Sequence, residues 1–168
     1  MSNFTIATSK ECFTKEEVLG SDLDMIPALS DLQNTVEFQQ QLELQRAQII
    51  ELISRHLGVP QSDFVLSQPS EWIWGGFNIC LPIHIHLGAA RHHKLPERAL
   101  IRFPLPFNVG EEFSPGSVDE KLRCEAATYI WLRSNCPSIP IPRLLGVGFP
   151  GTQSVLCPRI LVMFNFAN

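Results

Sequence analysis

No CxxC pair occurs among the five cysteines (Cys12, Cys80, Cys124, Cys136 and Cys157), and their number is odd. The first absence excludes a zinc ribbon, and the odd count argues against a disulfide framework, so reduced thiols are expected. No cationic start followed by an apolar core opens the chain, so no signal peptide is expected. The longest strongly apolar stretch, Ile160–Phe164, is far below the ~20 residues that span a bilayer. Together these absences lead to the expectation of a cytoplasmic protein with no membrane partner. A basic stripe is missing as well. Residues 1–58 carry nine acids against four bases and residues 59–168 eight against nine, for a formal net charge of -4. Without a cationic face there is no electrostatic footprint for nucleic acid. Internal repeats and low-complexity segments are also missing.

What is present suits a folded chain. Hydrophobic residues make up 45% of the 168 and charged residues 18%, enough for one core with an appended segment. Residues 1–31 are mixed polar and acidic, with Gly20 and Pro27 breaking any period, and read as a loose tail with at most a short helical turn. From Asp31 to Leu57, Leu32, Val36, Leu42, Ile49, Ile50, Leu52, Ile53 and Leu57 recur at roughly helical spacing, and Gly58 with Pro60 stops the run. This predicts one amphipathic helix on the domain surface, with a partner-binding helix as the alternative. The expected boundary is an N-terminal extension over 1–58 and a domain over 59–168.

Beyond Pro60 the pattern turns to strands. Phe64–Ser67 is a short one. Asn78–Leu87 places Ile79, Leu81, Ile83, Ile85 and Leu87 on one face, and a polar loop, GAARHHKLPE, leads into Arg98–Phe103. Ser117-x-x-Glu120 has the form of a capping box and predicts a helix that Pro137 ends, with Leu122, Ala126, Tyr129 and Ile130 as its buried stripe. The alternating prolines of IPIPRLLGVG predict an extended edge segment, and CPRILVMFNFAN a last buried strand. The fold class expected is α+β, an antiparallel sheet with one key helix and a helical extension.

Chemistry is carried by a few residues. Gly75-Gly76-Phe77-Asn78 is either a plain tight turn or a loop whose backbone N–H groups can approach phosphate oxygens. Arg102 lies among apolar residues on a strand, where a buried cation needs a partner; otherwise it faces solvent. Glu125 sits mid-helix and either pairs with Lys121 at i−4 or meets Arg102. A strand cation held by a helix carboxylate is the arrangement that grips nucleotide phosphates in kinases. Two histidines, His84 and His86, share a strand face without a third ligand, and His92-His93 fall in the polar loop. Cys124 reads as buried packing.

Four segments then point one way. WGGFN, ALIRFPLPF, PGSVDEKLRCEAATYIWL and NCPSIPIPRLLGVGFPG resemble fungal members of the aminoglycoside phosphotransferase family, over roughly residues 40–153. The resemblance implies the small lobe of a protein-kinase-like fold and ATP as cofactor. Gly75, Gly76 and Asn78 match its nucleotide loop, Arg102 the position of the phosphate-binding lysine, and Glu125 the ion-pair partner. Arg at that position departs from Lys in geometry, because a planar fork meets phosphate differently from a point charge. Acceptor activation and magnesium binding require further carboxylates. Here the last Asp is Asp119, the last Glu is Glu125 and the last His is His93. The expectation is therefore a lobe inactive as this chain, with no catalytic residue and magnesium bound only with a second lobe. A non-catalytic protein-interaction module is the alternative. Trp72, Trp74, Phe149 and Ile160–Phe164 are the expected exposed apolar surface for a protein partner or self-association.

Overall fold

The structure is a computed structural model that describes the backbone of residues 5–7, 12–14, 25–149 and 162–165, and side chains over 32–149. The chain forms two units, Met1–Leu44 and Gln45–Asn168. This division lies ahead of the boundary expected at residue 58, because the helical run is broken. Helix α1 spans Met25–Leu44 and α2 spans Arg46–Leu57, with Gln45 non-helical between them at φ -94°, ψ 9°. In the first unit a hairpin of β1 (Thr5–Ala7) and β2 (Cys12–Thr14) precedes α1. The tail expected over 1–31 thus contains strands and the start of a long helix. Pro27 is tolerated because it lies in the first turn, where its missing N–H would have had no intrahelical acceptor.

The second unit is built on an antiparallel sheet of β3 (Phe64–Leu66), β4 (Ile73–Trp74), β5 (Asn78–Ile85), β6 (Arg98–Pro104), β7 (Arg143–Val147) and β8 (Val162–Asn165). Its order is β3-β5-β6-β8-β7, with β4 also pairing β5. The fold class is α+β, as expected. Alternation along β5 and β6 divides the sheet into two faces. Ile79↔Phe103, Leu81↔Ile101 and Ile83↔Ala99 are opposed pairs, all buried, and Phe64 and Leu66 of β3 extend this face through Ile85 and Ile83. The other face carries Cys80↔Arg102 and Pro82↔Leu100.

Helix α2 buries Ile49, Ile53 and Leu57 and ends on Gly58 in the left-handed region (φ 66°). Gly58 is where the run was expected to stop, and lacking a Cβ it adopts that conformation without strain. Arg46 at the other end donates to the backbone oxygen of Ser67 at 2.9 Å, tying α2 to the end of β3.

Three expectations are corrected. Strand β5 stops at Ile85, and the expected hairpin loop contains helix α3, Leu87–His93, which leaves Leu87 exposed. Helix α4 (Ser117–Asn135) is not capped by Ser117 and Glu120. Its N-cap is Gly116, and the capping group is the carboxylate of Glu111 from the preceding loop. Glu111 accepts from the backbone N–H groups of Gly116 at 2.9 Å and Val118 at 2.8 Å, and from the Ser117 hydroxyl at 3.1 Å. Finally, Ile130 is exposed, so the buried stripe of α4 is Val118, Leu122 and Ala126, with Tyr129 half-buried. Val118 and Leu122 pack with Val109, Tyr129, Leu144, Val147 and Phe149, which seats α4 on β7.

Trp72 is buried and its indole N–H donates to the Ser67 carbonyl at 3.3 Å, so it is core rather than exposed surface. The expected last strand is present as β8, whose side chains lie outside the described residues. Among the described residues, no helix is long and apolar enough to cross a membrane.

Candidate functional site

Arg102 reaches its position because β6 alternates. Ile101 and Phe103 turn to the core, so Arg102 faces the opposite side, where α4 lies. Glu125 is two helical turns past the start of α4, next to buried Ala126 and one turn after Leu122. The packing that fixes α4 therefore aims Glu125 at the sheet. The two meet: Arg102 Nη2 donates to Glu125 Oε1 at 3.1 Å. Their side chains are 20% and 24% exposed, so the pair is largely withdrawn from water. Such a pair keeps more of its Coulomb attraction than a surface bridge, and leaves a costly charge if one partner is removed.

Lys121 takes part as well. Its ammonium pairs with the same Glu125 Oε1 from one turn earlier and also donates to Asn78 Oδ1 at 2.9 Å. Asn78 opens β5, directly after the glycine turn. Lys121 thus joins turn, helix and strand cation in one network. Glu125 Oε2 is buried and accepts no hydrogen bond, so both cations are served by one oxygen.

The turn itself is a two-residue hairpin closed by the Gly75 N–H donating to the Asn78 carbonyl at 2.8 Å. A Cβ on Gly75 would lie 3.2 Å from that carbonyl oxygen, so Gly75 is close-packed, whereas one on Gly76 would meet nothing within 4 Å. Two contacts from the loop after β6 hold the turn down. Asn108 Nδ2 donates to the Gly76 carbonyl at 2.6 Å, and the Leu105 N–H to the Phe77 carbonyl at 2.9 Å.

Two further groups feel the charges. Cys80 lies directly across the ladder from Arg102. Burial pushes its thiol above the usual range, with the nearby Arg102 charge lowering it and Glu125 raising it. The Tyr129 phenol, on the inner side of α4, is also pushed up, chiefly by burial, with Arg102 opposing and Glu125 and Cys80 adding. Gly75, Gly76, Asn78, Arg102 and Glu125 are the residues expected from the sequence, where Lys121 figured only as the partner of Glu125. The link from Lys121 to Asn78 spans 43 residues and carries no local signature. For Cys80 alternation indicates only the face shared with Arg102, because the long β5–β6 connection that contains α3 does not fix the register.

Chemically, the arrangement offers two cations and one orienting carboxylate beside an open backbone turn, which suits an anion. It offers no general base beyond Glu125, which is committed to two ion pairs. Other candidates stay apart. His84 and His86 are exposed, His92 and His93 meet edge to face on α3, and no cluster of three metal-ligating side chains occurs among the described residues. Cys124 is exposed rather than buried, because it faces away from the Leu122–Ala126 stripe. Cys80, Cys124 and Cys136 are all free thiols. No protein-family model, curated protein or solved structure matches the chain.

Proposed function

We propose that the second unit is a nucleotide-binding lobe of the protein-kinase-like kind, related to the small lobe of aminoglycoside-phosphotransferase-type enzymes. In this reading Arg102 engages phosphates of ATP, Glu125 holds the guanidinium in place, and the Gly75-Gly76 turn lies over the phosphate chain. The single observation that carries it is the Arg102–Glu125 pair at 3.1 Å, joining a central strand to the helix that follows it. An antiparallel sheet followed on its β6 strand by helix α4 supports the reading, because it lets a helix carboxylate meet a strand cation. The open space at Gly76 lets a phosphate approach the backbone.

Catalysis is not assigned to this chain. A phosphoryl transfer needs carboxylates for magnesium and for the acceptor hydroxyl, and none follows Glu125 in the sequence. Glu125 is engaged with Arg102 and Lys121, so it is a positioning residue. The test is a calorimetric titration of the purified chain with ATP. Saturable binding weakened at least about tenfold by Arg102→Ala, with no phosphoryl transfer, is the expected outcome. No binding, or equal affinity in the variant, overturns the reading.

One observation favours the alternative of an interaction module. Ile130 and Trp131 stand 61% and 58% exposed on the outer half of α4. If ATP fails to bind while Trp131→Ala abolishes concentration-dependent self-association, that alternative takes its place.

A further inference from the structure

We infer that Lys121 is a second ligand of the bound anion, so that the site grips a polyphosphate chain between two cations, Lys121 and Arg102. The inference rests on the reading of the second unit as a nucleotide lobe and extends it to a residue that the strand-cation and helix-carboxylate pattern does not contain.

Three observations converge. The two cations reach the same carboxylate oxygen, Glu125 Oε1, one from the sheet and one from the helix, so their nitrogens lie within two hydrogen-bond lengths of each other. That spacing suits adjacent oxygens of a phosphoryl group. Next, Lys121 is anchored on the turn side: its donation to Asn78 Oδ1 at 2.9 Å sets the ammonium beside the residue that closes the glycine hairpin. Finally, an ammonium has three N–H donors. Asn78 and Glu125 take two of them, and the side chain is only 20% exposed. A largely buried ammonium with a remaining donor, beside a turn with open space at Gly76, is poised for an anionic acceptor. If Lys121 served the fold alone, its charge would be needed only to neutralise Glu125, which Arg102 already contacts.

The experiment titrates the full chain with inorganic tripolyphosphate, ATP and adenosine, and compares Lys121→Met, Lys121→Arg and Asn78→Ala with the parent. Tripolyphosphate and ATP affinity are expected to fall at least about tenfold in Lys121→Met, with adenosine binding unchanged. In Lys121→Arg most of the affinity is expected to return. Asn78→Ala keeps the charge and loses the anchor, so its loss of affinity should be smaller. Thermal unfolding of each variant shows whether it remains folded. If Lys121→Met does not fold, Lys121→Gln and Asn78→Ala carry the comparison. ATP binding that depends on Arg102 but is unchanged in Lys121→Met overturns the inference and leaves the nucleotide reading standing. Tripolyphosphate binding that depends on Lys121, without any gain for ATP over tripolyphosphate, upholds the two-cation site and overturns the nucleotide reading. A parent chain that binds neither anion overturns both.

Discussion

Glu111→Ala should loosen helix α4 from its N-terminus, because Glu111 does work usually done by a residue inside the helix. Its carboxylate accepts from two backbone N–H groups of the first turn and from the Ser117 hydroxyl. Losing a capping acceptor costs about 1 kcal/mol. A negative charge at a helix N-terminus contributes about 0.5 kcal/mol more at a half-exposed position. The second N–H, returned to water rather than to a buried void, adds a similar amount, so Glu111→Ala should destabilise by about 2 kcal/mol. Glu111→Gln keeps one acceptor oxygen and loses the charge, and should cost about half as much. Urea denaturation followed by tryptophan fluorescence measures both, since Trp131 lies on α4 itself. Equal losses for Gln and Ala would mean that the charge, not the acceptor oxygens, explains the effect, because Gln keeps the size of Glu. A loss below about 0.5 kcal/mol for Ala would refute the capping role altogether.

Other perturbations have clear signs. The His56 imidazole, partly covered by Gly146 and otherwise exposed, has a pKa lowered by this partial burial. The fold therefore favours the neutral ring, and this stability is fully present above the ordinary pKa of about 6.5 and is lost as pH falls below it towards the folded value. Denaturation midpoints between pH 7.5 and 5 should drop less in His56→Gln than in the parent, and identical slopes would refute the effect. With its thiol pushed up by burial, Cys80 should be alkylated by iodoacetamide at pH 8 more slowly than exposed Cys124. Peptide-resolved mass spectrometry reads both rates, and an equal or faster rate at Cys80 would count against its burial. Lys94 caps α3 in the left-handed region at φ 54°, a conformation costly for a residue with a Cβ. Lys94→Gly should raise stability by about 0.5–1 kcal/mol by thermal melt, and a lowered melting temperature would contradict this.

How far these features could be read from the sequence depends on how local their cause is. Strands β5 and β6 were legible because Ile79–Leu81–Ile83–Ile85 and Ala99–Ile101–Phe103 alternate cleanly and one face is buried. The end of α2 at Gly58 was legible for a similar reason, since a single residue without a Cβ fixes it. The meeting of Arg102 with Glu125 was expected from the order of strand cation and helix carboxylate that resembles kinases, with a Glu125–Lys121 pair as the alternative, and Glu125 in fact meets both. The break at Gln45 was not legible, because the apolar spacing runs through it and no proline or glycine marks it. Helix α3 was hidden by its polar composition. Seven residues with only Ala90 buried give almost no periodic signal, and backbone contacts hold it in place. The cap from Glu111 was missed because Ser117 and Glu120 offered a complete local solution. Gly116 at φ 97° shifts the helix start by one residue and puts Ser117 inside it.

Chain order and space order disagree at one place in the sheet, and this bears on assembly. Strand β7 is separated from β6 by β8, which comes later in the sequence and pairs antiparallel with both. Until β8 arrives, β6 has an open edge and β7 has no partner in the sheet. A chain emerging from the ribosome therefore exposes two hydrogen-bonding edges at once, a template for pairing with a neighbouring chain. Closure depends on β7–β8 contacts about 15 to 22 positions apart and β6–β8 contacts about 60 to 66 apart, and such non-local pairing is slow. The interval between synthesis of β7 and docking of β8 is thus when this chain is most exposed to misassembly, and a chaperone that shields strand edges would act there.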